Sequence, residues 1–163
     1  MEANPQLKSY GAEQSYLRRA VELAIDNAES GQLPFGAIVV LDNQVVATGV
    51  NTALKDDDPT AHAELAAVRA ACRTLRTLDL NGATIYSSCE PCAFCHAVAT
   101  AAGAGELVYA TTKEMVPDLG VVSPNQKLME SMQRELRSLA PTQLRHLPLD
   151  GAEEPFHRFP AGA

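Results

Sequence analysis

The residues with the most chemistry in them fall in two short runs, His62-Ala63-Glu64 and Cys89-Glu90-Pro91-Cys92-Ala93-Phe94-Cys95. One imidazole and two thiolates, from His62, Cys92 and Cys95, form a three-donor set suited to zinc, with a fourth position left open for water. Zinc in such a site activates water at neutral pH. Glu64 lies two residues from His62 and need not be a donor. A carboxylate there can take the proton of that water and pass it to a substrate and then to a leaving group. Two plainer readings stand beside this one. Cys89 as a fourth thiolate would close the coordination sphere into a structural site. Glu64 taken alone would be an ordinary first-turn acid, favoured by a helix dipole. A closed structural site has no use for a carboxylate beside its histidine, and that favours the open arrangement, with Cys89 in the wall behind the zinc loop.

These residues must be positioned by regular elements. Apolar residues Leu17, Val21, Ala24, Ile25 and Ala28 recur at helical spacing and predict a helix over 13–30, capped by Gly31. The runs 37–41 and 45–48, joined by Asp42-Asn43, predict a hairpin. A loop over 51–59 ends in the acidic run Asp56 to Asp58, and a second helix runs from about Thr60 to about Leu75, with Cys72 on its apolar face. A strand is predicted over 84–87 and a third helix over 91–101, closed by Gly103 and Gly105, with Pro91 at its first position. A strand over 107–110, an irregular stretch over 113–124, a helix over 126–139 and a strand over 143–147 complete the pattern. The order is a hairpin followed by alternating helices and strands, which implies an α/β layered sandwich with a mixed sheet. Both proposed donor runs then sit at helix N-termini, where the partial positive charge favours thiolate over thiol. Cys92 and Cys95, three apart, share one side of a helical turn.

The paired motifs carry a resemblance. Pro34-Phe35-Gly36-Ala37, Asn51, Asp58-Pro59-Thr60-Ala61-His62-Ala63-Glu64 and Ser88-Cys89-Glu90-Pro91-Cys92-Ala93-Phe94-Cys95 resemble the cytidine/deoxycytidylate deaminase superfamily, whose zinc enzymes deaminate nucleobases. Within it the sequence is most similar to the guanine deaminase and tRNA adenosine deaminase branch, and its Ser-Cys-Glu-Pro-Cys run looks more like guanine deaminases. The resemblance implies a three-layer α/β/α sandwich with a five-stranded mixed sheet, in one domain spanning 1–163, and a homodimer. It also implies one zinc on His62, Cys92 and Cys95, with Glu64 as the catalytic proton shuttle. It puts Asn51, Phe35 and Ala63 against the substrate. Guanine deaminases carry an acidic segment after the strand that ends here at Tyr109-Ala110, and the available carboxylates in this chain are Glu114 and Asp118. Their C-terminal segment closes over the pocket. Phe156, in the run Pro155-Phe156-His157-Arg158-Phe159, is the counterpart in the tail from Pro148.

Composition bounds the partners. A net charge of −7, from 13 basic and 20 acidic side chains, argues against binding nucleic acid mainly through phosphates. That places tRNA adenosine behind a free guanine-like base, with cytosine, cytidine or a pterin as alternatives. A catalytically silent, zinc-stabilised binding module is the reading from another class. With 46% apolar residues and only 10 Gly and 10 Pro, the chain is neither disordered nor of low complexity. No basic segment followed by an apolar core opens it, and no run is long and apolar enough to cross a bilayer. The expectation is a cytoplasmic protein with reduced thiols and no membrane partner.

Overall fold

The structure, a computed structural model, describes residues 5–121 and 124–160. Its elements are α1 (Pro5–Glu29), β1 (Gly36–Leu41), β2 (Gln44–Val50), α2 (Ala53–Asp56), α3 (Ala63–Leu75), β3 (Thr84–Cys89), α4 (Ala93–Ala101), β4 (Glu106–Thr111), α5 (Gln126–Leu139), β5 (Gln143–His146) and α6 (Glu154–Arg158), with a single 3₁₀ turn at Lys113–Met115. The five strands lie in the order β2-β1-β3-β4-β5. The hairpin half is antiparallel, with β1 between β2 and β3, and the other half, β3-β4-β5, is parallel.

Three layers follow from the strand sequences. The central strands carry apolar side chains at successive positions, so both faces of the sheet are apolar. Val39, Ile85 and Leu107 point to one face, where they pack with Ala63, Ala67 and Val68 of α3 and Ala99 of α4. Ile38, Val40, Tyr86 and Val108 point to the other, where they meet Leu17 and Val21 of α1 and the segment carrying Leu147, Leu149 and Ala152. The fold is therefore the α/β sandwich with a five-stranded mixed sheet that the sequence implies. Among the described residues, no helix is long and apolar enough to cross a membrane.

Several boundaries move, each for a local reason. Helix α1 starts at Pro5 rather than at 13; Pro suits the opening turn, and Gly11 within the helix costs only about 1 kcal/mol against Ala. The third helix starts at Ala93, not Pro91, and Cys92 is its cap, with extended φ −73° and ψ 171°. The second helix likewise starts at Ala63, with His62 as its extended cap. The loop over 51–59 contains the four-residue α2, and the tail contains α6, too short for apolar periodicity to register. The hairpin turn matches its prediction: Asp42 and Asn43 both take positive φ, 51° and 60°, the type I′ geometry that suits the twist of paired strands.

One close approach sets where α3 lies. A Cβ built on Gly49 of β2 would fall on the backbone of Ala63 and Ala67, so the start of α3 rests directly on the strand. Gly49→Ala is expected to destabilise the protein by about 1–3 kcal/mol, the range for overpacking a tight contact, read as a lowered urea midpoint. A wild-type midpoint would show that the helix can shift without cost.

Candidate active site

Helices α3 and α4 pack side by side on one face of the sheet. Their caps, His62 and Cys92, are both extended, so each side chain stands at the mouth of its helix and not on its flank. Cys95, one turn into α4, completes the group. His62 Nδ1 lies 3.3 Å from Cys95 Sγ and 3.6 Å from Cys92 Sγ, and the two sulfurs are 3.8 Å apart. Tetrahedral zinc with bonds of about 2.3 Å to sulfur and about 2.0 Å to nitrogen requires edges of about 3.8 Å and about 3.5 Å. The donor set and its spacing therefore fit one zinc ion. Cys89 lies outside this group. It is buried, its thiol is pushed up to about 12 by burial, and it sits beside Thr111. That removes the fourth thiolate of a closed structural site.

Charge within the group is unevenly shared. The Cys92 thiol is pulled down to about 4, first by a hydrogen bond from Cys95 and then, against burial, by His62. Cys95 is pushed up by the neighbouring Cys92 and by burial, and His62 is raised by its bond to Cys92. Zinc ligation would require the raised Cys95 thiol to give up its proton.

Glu64, in the first turn of α3, is only 7% exposed. Its Oε1 accepts a 2.7 Å hydrogen bond from Ser87 Oγ on β3, and its Oε2 lies 3.4 Å from Cys95 Sγ. Burial raises its pKa, and the Ser87 hydrogen bond lowers it. A carboxyl poised this way, with its pKa raised and one oxygen against a metal-donor cluster, suits proton transfer.

The structure brings the other predicted residues together unequally. Asn51 is buried, its Oδ1 accepts from Ala53 N–H at 3.0 Å, and its own N–H donates to Phe35 C=O at 3.1 Å. Ala63 is fully buried at the start of α3, beside His62 and Glu64. The Phe35 ring packs edge-on against Phe156 of α6, with centroids 6.1 Å apart, so the tail reaches the segment that adjoins Asn51. Glu114 and Asp118 stand exposed beyond β4. Asp118 accepts from Gly120 N–H, and Glu114 is stabilised as an anion by its own backbone and Thr112. No hydrogen bond or ion pair among the described residues links either acid to the donor group. His96 is buried, and its ring Nε2 lies 2.8 Å from Thr142 C=O. It packs α4 against the approach to β5.

Three residues absent from the sequence reading hold the site in place. Ser87 bonds Glu64, as above. Asn27 of α1 donates its side-chain amide to Leu33 C=O at 2.7 Å and to Asn51 C=O at 2.8 Å, so one buried amide ties together the segments bearing Phe35 and Asn51. Arg137 of α5 ion-pairs with Glu90, and Glu90 also accepts from Lys113 N–H. That anchors the loop leading to Cys92. The only sequence signals were a polar residue on the apolar face of α1 and a pair of hydroxyls in an apolar strand.

Two outcomes are expected. Zinc content after dialysis should be one per chain in wild type and Cys89→Ser, and should drop well below one in Cys92→Ser; zinc retained by Cys92→Ser would exclude the donor set. In metal-free protein, thiolate absorbance at 240 nm should show a step near pH 4 that Cys92→Ser removes. Because Cys92 titrates lower folded than unfolded, its contribution to stability is complete above the unfolded value of about 8.5 and is lost as pH falls through about 4.

The zinc-binding region of cytidine and deoxycytidylate deaminases matches residues 11–111. A guanine deaminase of Bacillus subtilis is 43% identical over 83 residues, 50% of this chain and 53% of that protein. A tRNA-specific adenosine deaminase of Aquifex aeolicus is 39% identical over 80 residues, 49% of this chain and 53% of the relative. The chain thus matches about half the length of these curated relatives. The X-ray structure of the Bacillus subtilis guanine deaminase superposes with a TM-score of 0.59 at 29% identity, covering 74% of this chain and 92% of that one. The matched region includes His62, Glu64, Cys92 and Cys95 together with strands β1 to β4 and helices α3 and α4, and the chain belongs to the cytidine and deoxycytidylate deaminase family.

Proposed function

We propose that this chain is a zinc-dependent hydrolytic deaminase that removes an exocyclic amino group from a nucleobase or related amino-heterocycle as ammonia, with guanine or a guanine-like free base as the first substrate. The observation that carries this reading is the buried Glu64 carboxylate, whose Oε2 lies 3.4 Å from Cys95 Sγ at the edge of the zinc-fitting donor set. The guanine deaminase relative supports the choice of base.

Zinc held by His62, Cys92 and Cys95 supplies activation of a water at neutral pH. Glu64 takes the water's proton at Oε2 and delivers it to the ring nitrogen next to the amino-bearing carbon, which makes that carbon more electrophilic. After the water oxygen adds to that carbon, Glu64 takes the proton of the new hydroxyl and gives it to the amine; the C–N bond breaks as the C=O bond forms, and ammonia leaves. First-turn N–H groups of α4, which have no intrahelical acceptor, provide partners for the developing oxyanion.

The remaining site residues orient the base. Asn51, with Oδ1 committed to Ala53, presents its amide N–H₂ to a base carbonyl. The first-turn N–H of Ala63 is a second donor. Phe35, packed on Phe156, offers an aromatic wall, and Glu114 or Asp118 supplies the acceptor for the N–H edge of a guanine-like base. A homodimer and a cytoplasmic setting go with this reading.

The test is ammonia release by zinc-loaded protein from guanine, guanosine, adenine, adenosine, cytosine, cytidine and a pterin. Guanine should turn over, and Glu64→Ala should lower kcat by roughly 10²–10⁴-fold with zinc retained. Turnover of another panel member instead would keep the mechanism and replace the substrate. Silence across the panel with zinc bound would favour a zinc-stabilised binding module.

A further inference from the structure

The geometry points to Ser87 as the positioning residue of this site: its hydroxyl fixes the orientation of the Glu64 carboxylate, committing one oxygen to the sheet so that the other faces the donor cluster. The kinetic consequence rests on the deaminase reading; the orientation itself does not.

Ser87 lies on the central strand β3, flanked in register by Ala37 of β1 and Tyr109 of β4, and is 1% exposed. Strand alternation puts it on the same face as Ile85, which packs in the layer of α3 and α4. Its neighbour Ser88 turns to the opposite face, and there its Oγ accepts from Gly36 N–H at 3.1 Å. The two adjacent serines therefore do different work, and only Ser87 reaches Glu64.

A hydroxyl buried this deeply is unfavourable unless it is bonded, and Ser87 Oγ finds Glu64 Oε1 at 2.7 Å. Glutamate has several rotatable bonds, and holding its carboxylate in one orientation costs side-chain entropy. The Ser87 bond opposes that freedom at one oxygen. It leaves Oε2, 3.4 Å from Cys95 Sγ, as the oxygen that meets a proton arriving from the donor cluster. Without Ser87, Oε1 loses its donor and the carboxylate can rotate away. Rates of proton transfer fall steeply with such misplacement, by about 10²-fold for roughly 1 Å.

A merely structural role for Ser87 predicts something else: lower stability, with unchanged turnover per folded, zinc-loaded molecule. The experiment therefore compares Ser87→Ala and Ser87→Thr with wild type, all zinc-loaded and checked for melting temperature and zinc content. In Ser87→Ala, kcat should fall by roughly 10- to 100-fold while KM stays within about threefold. Ser87→Thr, which keeps the hydroxyl, should recover most of kcat. A readout that needs no turnover is the infrared carboxylate band of Glu64 in ¹³C-glutamate-labelled protein, isolated by subtracting the Glu64→Gln spectrum. That band should shift in Ser87→Ala and return in Ser87→Thr. If the extra methyl of Ser87→Thr does not fit, its melting temperature shows it, and the Ser87→Ala band decides.

An unmoved band in Ser87→Ala overturns the inference, as does an unchanged kcat, or a raised KM with unchanged kcat, in an active enzyme. A moved band in a protein that turns over no substrate upholds the positioning role and defeats the deaminase reading. An active wild type with an indifferent Ser87→Ala defeats the positioning role alone.

Discussion

Three donor atoms from two separate helices lie 3.3 to 3.8 Å apart, and most of the architecture follows from keeping them there. Neither helix could do this alone. His62 must stand at the mouth of α3 and Cys92 at the mouth of α4, each in extended conformation, and the two mouths must meet over one face of a sheet. That requires a rigid floor of strands apolar on both faces. It also requires α3 to lie close on β2, and the absent side chain of Gly49 allows this. Within the group, the Cys92 thiol is held low by a hydrogen bond from Cys95, whose own thiol is pushed up. A cation bound there would take the place of that shared proton.

Around this centre, buried polar side chains do the fine positioning. Asn27 joins the Leu33 and Asn51 carbonyls, Ser87 holds Glu64, and Glu90 ties the loop before Cys92 to Arg137 and to Lys113. Each satisfies groups that would otherwise be costly to bury. Each also connects a loop or helix end to an element on a different layer. The tail joins this scheme through Phe156, which packs on Phe35, while Arg158 pairs with Glu29 of α1. The tail is thus part of the fold and shares a wall with the residues proposed to meet substrate.

Much of the framework was legible in the sequence. Helix α5 has the predicted bounds, because its apolar and polar residues segregate cleanly at helical period. The hairpin was legible because Asp-Asn favours the positive φ that a two-residue turn demands. The donor set was legible because zinc chemistry restricts residue types and local spacing so tightly. Less was visible where local signals are weak. The first turns of α1, and the short α2 and α6, have too little apolar periodicity to mark their ends. The two-residue shift of α4 past Pro91 reflects the need of Cys92 for an extended backbone.

By itself, then, the sequence determined the residue types able to bind zinc, the acid beside them and the alternation of elements, because each depends on short-range spacing. Only the tertiary structure decided that Cys89 stands apart from the other two thiols, that Glu64 turns one oxygen to Ser87 and the other toward Cys95, and that Asn27 governs the segments of Phe35 and Asn51. The contacts of Asn27 with Asn51 and of Glu64 with Ser87 and Cys95 join residues more than twenty positions apart. Their geometry depends on how helices pack across a sheet, and no local pattern encodes that distance.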